Sequence, residues 1–333
     1  MLCLGIETSC DETAVALVED GRKIRSNLIL SQIERHQKFG GVVPELAARC
    51  HLEVISQLVA EALRQPGVLP REVDLVAATY GPGLIGGLLV GLSMAKALSL
   101  AWQVPFVGVN HVEGHIYANF LAHPELEPPL VCLTVSGGHT QLIYMAEHGT
   151  YELLGQTRDD AAGEAFDKVA RVLGLGYPGG PFIDRLAQTG QPNLTLVQHD
   201  ALAGTYDFSF SGIKTAVVNL VHHLRQKGEA VPVADLAASF QRQVVTVLAD
   251  RVFRAVEAKK VKTLAVSGGV AANSQLRSFF SAEAARRGIQ FFAPPPVLCT
   301  DNAGMIAACG YFRYLKKGAS SLALPAAPRL RLD

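Results

Sequence analysis

Short apolar runs and longer helical patterns alternate along the chain. Buried strands are predicted at residues 2–6, 14–18, 74–79, 104–109, 130–135, 141–145, 263–267 and 290–293. Helical patterns cover residues 45–65, 83–101 and 301–315. Strands that alternate with helices are typical of an α/β protein, in which helices cover the faces of a sheet.

A strand–turn–strand pattern occurs twice. The hairpin of residues 2–18 has a polar tip at residues 7–13, and the pattern returns at residues 130–145 around Ser136-Gly-Gly-His-Thr140. A third strand followed by two glycines lies at residues 263–270. The repetition predicts an internally duplicated α/β fold with two lobes. We expect a first lobe at residues 1–110, completed by a C-terminal helix at about 301–320, and a second at 111–300 with inserted binding loops at about 156–235.

Composition narrows the class of protein. Of 333 residues, 49% are apolar and 18% are charged, which suits a compact enzyme and excludes a disordered chain. Lysine plus arginine equals aspartate plus glutamate at 30 each, so no global field attracts nucleic acid. Six cysteines without a C-x-x-C pair or disulfide spacing fit a reducing compartment. We expect a soluble, cytoplasmic protein without a membrane span, because Lys96, Pro105 and several glycines interrupt its most apolar run.

Two histidines four residues apart follow the strand predicted at 104–109. On a helix, His111 and His115 share one face and lie close enough to bind one metal ion. Two structural histidines at a helix start explain this pair equally well. Asp301, at the start of the last predicted helix, is a natural third ligand in a set that suits Fe(II) or Zn(II). An acid in a first helical turn is also an ordinary dipole partner.

Two glycine loops directly follow buried strands. Backbone N–H groups in Ser136–Thr140 and Ser267–Val270 can approach a phosphate closely, although any tight turn also uses glycine. Neither loop is a Walker A or G-x-G-x-x-G motif. Asp167 and Gly180 are further candidates for contacts with a nucleotide. Asp184 can accept hydrogen bonds from ribose hydroxyls, although an ordinary solvated acid explains it as well. The loops resemble the nucleotide cleft of the actin, sugar-kinase and Hsp70 superfamily, whose ribonuclease-H-like lobes grip phosphates from opposite sides.

Ten motifs in order resemble one family, the bacterial tRNA N6-adenosine threonylcarbamoyltransferases. They are Gly5-Ile-Glu-Thr-Ser-Cys-Asp-Glu-Thr13, Gly40–Glu45, Tyr80–Gly83, His111–His115, Val135–Thr140, Gly163–Lys168, Tyr177–Pro181, Phe210–Thr215, Ser267–Asn273 and Thr300–Asn302. The motifs run nearly from end to end and are far more specific together than any single loop.

The resemblance implies a reaction. The threonylcarbamoyl group of L-threonylcarbamoyl-AMP moves to N6 of adenosine 37 in tRNAs that read codons beginning with A, and AMP leaves. His111, His115 and Asp301 are implied to hold one divalent metal, with Fe(II) favoured and Zn(II) as the alternative. Asp11 and Glu12 are implied to face the metal and the carbamoyl group, and one of them is our hypothetical proton acceptor. The expected substrate-binding positions are Thr134, Val135, Ser136, Gly137, Gly138, His139, Asp167, Gly180, Asp184, Gly268, Gly269 and Asn273.

The resemblance also implies partners: tRNA, a TsaB-like protein and a TsaE-like protein. Helices such as 45–65 and 83–101 form the TsaB contact in this family. Gly83, Gly87 and Gly91 repeat at a spacing that predicts close backbone approach to another helix, in this chain or a partner. A neutral chain needs local basic groups for tRNA phosphates. The candidates are Arg22, Lys23 and Arg25, and Arg313, Lys316 and Lys317, although ordinary surface charge explains either cluster.

Three rival functions use the same motifs. A metalloendopeptidase needs H-E-x-x-H, whereas Val112 follows His111 here and Glu113 points elsewhere around the helix. An ATP-dependent sugar or acetate kinase shares the fold but does not require the two histidines and Asp301. A nucleotide-binding regulator of the Hsp70–actin type would bind ATP and change shape without a metal-centred transfer.

Overall fold

The computed structural model describes residues 1–197 and 202–332. Its first compact unit comprises Met1–Pro128, Ala146–Tyr151 and Pro294–Asp333, and its second comprises Pro129–Met145 and Glu152–Ala293. The helix that begins at His111 lies in the first unit, whereas the boundary expected from the sequence preceded it. That helix packs on the C-terminal helix of the same unit.

The secondary structure alternates strands and helices. The strands are β1 (Leu2–Glu7), β2 (Glu12–Glu19), β3 (Lys23–Ser31), β4 (Leu75–Gly81), β5 (Phe106–Asn110), β6 (Leu130–Val135), β7 (Thr140–Glu147), β8 (Thr150–Gln156), β9 (Thr263–Ser267) and β10 (Gln290–Phe292). The helices are α1 (Ile33–Gln37), α2 (Pro44–Arg64), α3 (Ile85–Trp102), α4 (His111–Ala122), α5 (Ala162–Val172), α6 (Gly179–Ala187), α7 (Ser211–Gln226), α8 (Val233–Lys259), α9 (Ser274–Arg287), α10 (Pro296–Cys299) and α11 (Ala303–Lys317). Short 3-10 turns lie at Pro70–Glu72 and Gly269–Ala272.

The two sheets have the same topology. The orders are β3-β2-β1-β4-β5 and, read in the matching direction, β8-β7-β6-β9-β10. In each, the first strand in sequence pairs antiparallel with the next strand and parallel with a later one: β1 with β2 and β4, and β6 with β7 and β9. This repetition confirms the predicted duplicated α/β fold.

Helices cover both faces of the first sheet. Side chains alternate across a strand, so Ile6 and Val15 face one side, where Ile55 of α2 and Leu92 of α3 pack on them. Ala14 and Ala16 face the other side, against Ala303 of α11. The contact with α11 is very close, because a Cβ built on Gly5 would lie 2.3 Å from the carbonyl oxygen of Ala303.

Helix α3 is the one helix in residues 1–197 and 202–332 that is long and apolar enough to cross a membrane. It packs on β4, β1 and α2, as a core helix of an α/β unit does. Its close backbone approach is mainly to a loop and not to a helix, since a Cβ on Gly87 would meet the Thr8 carbonyl oxygen at 2.3 Å and one on Gly91 the Thr8 hydroxyl at 2.2 Å. Two glycines also approach α2: a Cβ on Gly86 would lie 2.8 Å from Ala48, and one on Gly87 would lie 3.2 Å from the His51 ring.

The region expected to hold glycine-rich loops and short helices is more regular. Residues 156–235 include α5, α6 and the 16-residue α7, and lead into the 27-residue α8. Residues 198–201 of this region lie outside the described residues. Strands β3 and β8 were not predicted, because both are edge strands whose many exposed and half-buried residues give no continuous apolar run.

Candidate metal centre and substrate loops

The histidine pair lies where β5 passes directly into α4. The Asn110 side chain caps the helix by accepting from the backbone N–H groups of Val112 at 2.9 Å and Glu113 at 3.4 Å. The helix therefore begins at His111, and its 3.6-residue turn places His115 above His111. The two ring centroids are 4.7 Å apart.

Asp301 completes the set of three predicted ligands. Its Oδ1 lies 3.4 Å from Nε2 of His111 and 3.3 Å from Nε2 of His115. One ligand atom from each residue lies within 4.8 Å of the others. Asp301 precedes α11 rather than beginning it, since Asn302 is the N-cap and accepts from the Met305 N–H at 3.0 Å.

The donors of this cluster suit a divalent cation. Both ring nitrogens of His115 are buried and lack a hydrogen-bond partner among the described residues, because the 3.3 Å contact with Asp301 does not have hydrogen-bond geometry. Unsatisfied buried polar groups are costly, and two imidazoles with one carboxylate are ligands that Fe(II) and Zn(II) accept. Burial would lower the pKa of His111, yet the charges of Asp301 and Glu7 raise that pKa well above its ordinary value. The negative charge around the histidines thus favours a cation.

Glu7 is a buried acid that the sequence patterns did not single out. It ends β1, is fully buried, and accepts from the Thr79 hydroxyl and the Ser9 N–H, each at 2.5 Å. Its Oε2 lies 3.0 Å from Nδ1 of His111. The one available signal was an acid at the end of an apolar strand. Its neighbours become visible only once β1 has paired with β4.

Asp11 ends the loop between β1 and β2, and Glu12 is the first residue of β2, in the same unit as the histidines. Asp11 is almost buried, and the Ser31 hydroxyl donates to Glu12 at 3.3 Å. Burial, together with the negative charges of Asp301 and Asp11, raises the pKa of Glu12 to about 9. Glu12 therefore carries a proton near neutral pH.

The same loop is held from α2 by a buried histidine. Nε2 of His51 lies 3.0 Å from the Cys10 carbonyl oxygen, while Nδ1 faces the Thr13 hydroxyl at 2.8 Å and the Gln32 amide nitrogen at 3.2 Å. These contacts fit a neutral ring that accepts at Nδ1 and donates at Nε2. Burial lowers the pKa of His51, so the neutral form is stable at pH 7.

The Glu113 side chain is held in a buried ion pair and does not have the surroundings of a general base for hydrolysis. Its carboxylate accepts from the Tyr151 hydroxyl at 2.9 Å and from Arg313 at 3.1 Å, and the residue is 2% exposed. A peptidase base must reach a water molecule on the metal. The environment of Glu113 therefore argues against the peptidase alternative.

The glycine loops of the second unit lie side by side. Because β6 and β9 are parallel neighbours, Thr134 pairs with Ser267, and their hydroxyl oxygens are 3.1 Å apart. Gly268 has a φ of +86°, and a Cβ there would lie 2.4 Å from the Val135 carbonyl oxygen, so this glycine is needed by the fold. The Cβ positions of Gly137, Gly138 and Gly269 are open. Their backbone is accessible to a ligand.

The remaining predicted positions of this unit make specific contacts. Asp167 accepts from the Gly179 N–H at 2.7 Å, and the Cβ position of the next residue, Gly180, is open. Asp184 accepts from the Gln241 amide at 3.1 Å and from the Ser274 hydroxyl and N–H at 2.7 and 3.1 Å. Asn273 caps α9 and donates to Gln241 at 2.9 Å. Gln241, which the sequence did not reveal, thus links Asp184 to Asn273.

Both basic clusters expected to meet phosphates are largely paired with acids. Arg22 contacts Glu127 at 2.5 Å, and Lys23 and Arg25 both contact Glu19. In the second cluster, Arg313 pairs with Glu113 and Lys316 with Glu147. These pairs reduce the positive field that either cluster offers to RNA.

The chain is similar over nearly its whole length to one family of curated proteins. The model of the family TsaD, tRNA N6-adenosine threonylcarbamoyltransferase, matches residues 23–308. The protein of that name from Caldicellulosiruptor bescii is 56% identical over 332 residues, which cover 100% of this chain and 98% of the relative. The one from Clostridium botulinum (strain Kyoto / Type A2) is 53% identical over 330 residues, or 99% of this chain and 97% of the relative.

Solved structures with low sequence identity share the fold. HypF from T. kodakarensis superimposes with a TM-score of 0.62 at 16% identity, covering 95% of this chain and 48% of that chain. Component A of the Acidaminococcus fermentans (R)-2-hydroxyglutaryl-CoA dehydratase gives a TM-score of 0.54 at 16% identity, covering 95% of this chain and 99% of that chain. These likenesses confirm the ribonuclease-H-like fold class and carry no further conclusion about chemistry.

Proposed function

The chain belongs to the tRNA N6-adenosine threonylcarbamoyltransferase family, and from this premise we propose that it transfers the threonylcarbamoyl group of L-threonylcarbamoyl-AMP to N6 of adenosine 37 and releases AMP. The acceptors are tRNAs that read codons beginning with A. The observation that carries the proposal is the buried cluster of His111, His115 and Asp301, in which neither ring nitrogen of His115 has a hydrogen-bond partner among the described residues. A sugar or acetate kinase of the same fold has no use for such a cluster.

We assign one divalent metal to His111, His115 and Asp301, with Fe(II) favoured over Zn(II). When bound, it supplies Lewis acidity toward a phosphate or carbonyl oxygen of the donor. The histidines are held for this task by the Asn110 cap, and Asp301 by the start of α11.

The side chains of the protein have two tasks in this reaction: to orient the acceptor amine and to accept its proton. The donor is a mixed anhydride whose leaving group needs little help, so the enzyme must orient a weakly nucleophilic amine and accept its proton. In the metal-free protein Glu12, with a pKa of about 9, keeps its proton at neutral pH. Asp11 is therefore our choice as acceptor. Asp11→Asn should slow single-turnover transfer sharply while metal content stays unchanged, and near-normal rates would rule the role out.

The adenylate is placed on the loops of the second unit. Gly137, Gly138, Gly180 and Gly269 leave open space at their Cβ positions, so phosphate oxygens can reach the backbone there. The other contacts are assigned to Thr134, Val135, Ser136, His139, Asp167, Asp184, Gly268 and Asn273. Asp184 already accepts three hydrogen bonds, which leaves one lone pair of Oδ2 for a ribose hydroxyl.

Partners are proposed on the outer face of α2 and α3. Leu52 of α2 and Leu89 and Leu100 of α3 are 69%, 50% and 65% exposed, and large apolar side chains left uncovered are candidates for a protein contact. A TsaB-like protein is assigned to this face, and a TsaE-like protein completes the assembly. The protein is assigned to the cytoplasm, where its tRNA substrate is.

One reconstitution tests the function. The purified protein is incubated with threonylcarbamoyl-AMP, unmodified tRNA and the TsaB-like and TsaE-like proteins, and the nucleosides are analysed by mass spectrometry. We expect threonylcarbamoyladenosine at position 37 and none in a matched tRNA carrying guanosine there. No product in wild type, together with ATP-dependent phosphorylation of a sugar or acetate, would replace the proposal with the kinase alternative.

A further inference from the structure

We propose that Glu7 is a positioning residue that fixes the tautomer of His111 and so directs its Nε2 lone pair to the metal. The inference rests on the proposed metal centre. Glu7 lies outside the ligand set, and its carboxylate contacts the far side of the His111 ring.

The hydrogen bonds around Glu7 define its role. The Thr79 hydroxyl donates to Oε2 and the Ser9 N–H donates to Oε1, each at 2.5 Å, and Nδ1 of His111 lies 3.0 Å from Oε2. Among the described residues, neither lysine nor arginine forms an ion pair with this fully buried acid. Three groups able to donate thus converge on two oxygens, which is the arrangement that a carboxylate requires.

This arrangement selects one form of the imidazole. A carboxylate only accepts, so Nδ1 of His111 must carry a proton, and Nε2 of the neutral ring then carries the lone pair. Nε2 is the atom that lies 3.4 Å from Asp301. The Ser9 hydroxyl oxygen, 3.1 Å from Nδ1, acts as a second acceptor of the same N–H.

His115 has no such device. Its Nδ1 is without a hydrogen-bond partner among the described residues, so no acceptor fixes a proton on that nitrogen. Glu7 is therefore a positioning partner that His111 has and that His115 lacks among the described residues. It also balances charge, because the carboxylates of Glu7 and Asp301 together neutralise a buried dication.

Loss of such an outer partner typically weakens metal binding by about 10- to 100-fold. We expect Glu7→Gln to weaken Co(II) and Zn(II) binding by this factor in chelator competition and to change the visible spectrum of the Co(II) form. Asp74→Asn is the matched control. It removes an exposed acid at the other end of β1, where Asp74 accepts from the Leu2 N–H, and should leave both readouts at wild-type values.

The outcomes separate this inference from the metal centre itself. If wild type binds Co(II) and His111→Ala loses it, but Glu7→Gln retains wild-type affinity and spectrum, the role of Glu7 is overturned and the metal centre stands. If His111→Ala binds as wild type does, the metal centre itself is wrong. Should Glu7→Gln fail to fold, 15N NMR of histidine-labelled, Zn(II)-loaded wild type decides. We expect His111, assigned by the signal missing from His111→Ala, to carry its proton at Nδ1, and a proton-free Nδ1 would refute the inference.

Discussion

Breaking the ion pair between Glu113 and Arg313 should destabilise the first unit measurably. Glu113 lies on α4 between the two histidines, and Arg313 lies on α11, the helix that Asp301 precedes. The pair therefore joins the two elements that carry the predicted ligands. Removing one partner of a buried pair costs about 3–5 kcal/mol because the other charge is left unpaired.

For Arg313→Met we expect a smaller loss of stability than this range. The Arg313 side chain is 24% exposed, and Glu113 keeps its hydrogen bond from Tyr151. We expect a loss of about 2–3 kcal/mol in the free energy of unfolding. Replacing both partners, in Glu113→Leu with Arg313→Met, should cost less than the sum of the single changes, because no charge remains buried.

The assay is urea denaturation followed by tryptophan fluorescence. The chain has one tryptophan, Trp102 at the end of α3, so the signal reports on the first unit. Lys316→Met is the matched control, because Lys316 lies on the same helix as Arg313 but its ion pair with Glu147 is exposed. Its loss should lower the free energy of unfolding by no more than about 1 kcal/mol. A midpoint for Arg313→Met equal to that of Lys316→Met would refute the reasoning.

Three further predictions follow from packing, open space and charge. Gly5→Ala should lower the free energy of unfolding, measured by urea denaturation, by about 1–3 kcal/mol or more, because its Cβ would lie 2.3 Å from the backbone of α11. The control Gly41→Ala has open space and should change that free energy by no more than about 1 kcal/mol. Equal midpoints for the two variants would contradict this. Gly180→Ala should fold normally, because its Cβ position is open, but should bind the adenylate more weakly in calorimetry, and unchanged affinity would remove Gly180 from the binding site. Metal binding at pH 7 should release about one proton, because the pKa of the metal-free His111 is raised and the ligand must be deprotonated. The dependence of the binding enthalpy on buffer ionisation measures this release, and a slope of zero would be inconsistent with it.

The sequence predicted much of the fold because its strands are apolar and its loops are distinctive. The two strands that it did not reveal, β3 and β8, are edge strands with mixed polarity. Helix α8 was missed as a single element, although residues 233–259 contain neither glycine nor proline and that signal was present. The glycines of residues 156–235 favour loops, and this uninterrupted run lies almost wholly beyond them.

The site was predictable only where it depends on local spacing. His111 and His115 are four residues apart on a helix, so their proximity follows from the sequence alone. Asp301 joins them through the tertiary packing of α11 on α4, which local spacing does not show, although its residue type made it a candidate ligand. Glu7 and Gln241 are ordinary in sequence, and their contacts exist because distant elements meet. The pairing of the basic clusters with acids is hidden for the same reason.

The transfer should require a metal that the cluster of His111, His115 and Asp301 holds. The most direct measurement is single-turnover transfer from isotopically labelled threonylcarbamoyl-AMP to adenosine 37, made with metal-depleted protein and again after one equivalent of Fe(II) or Zn(II). We predict that the metal restores labelled product in wild type and not in His115→Ala. Full-rate transfer by the metal-depleted wild type, or equal restoration in His115→Ala, would contradict the account.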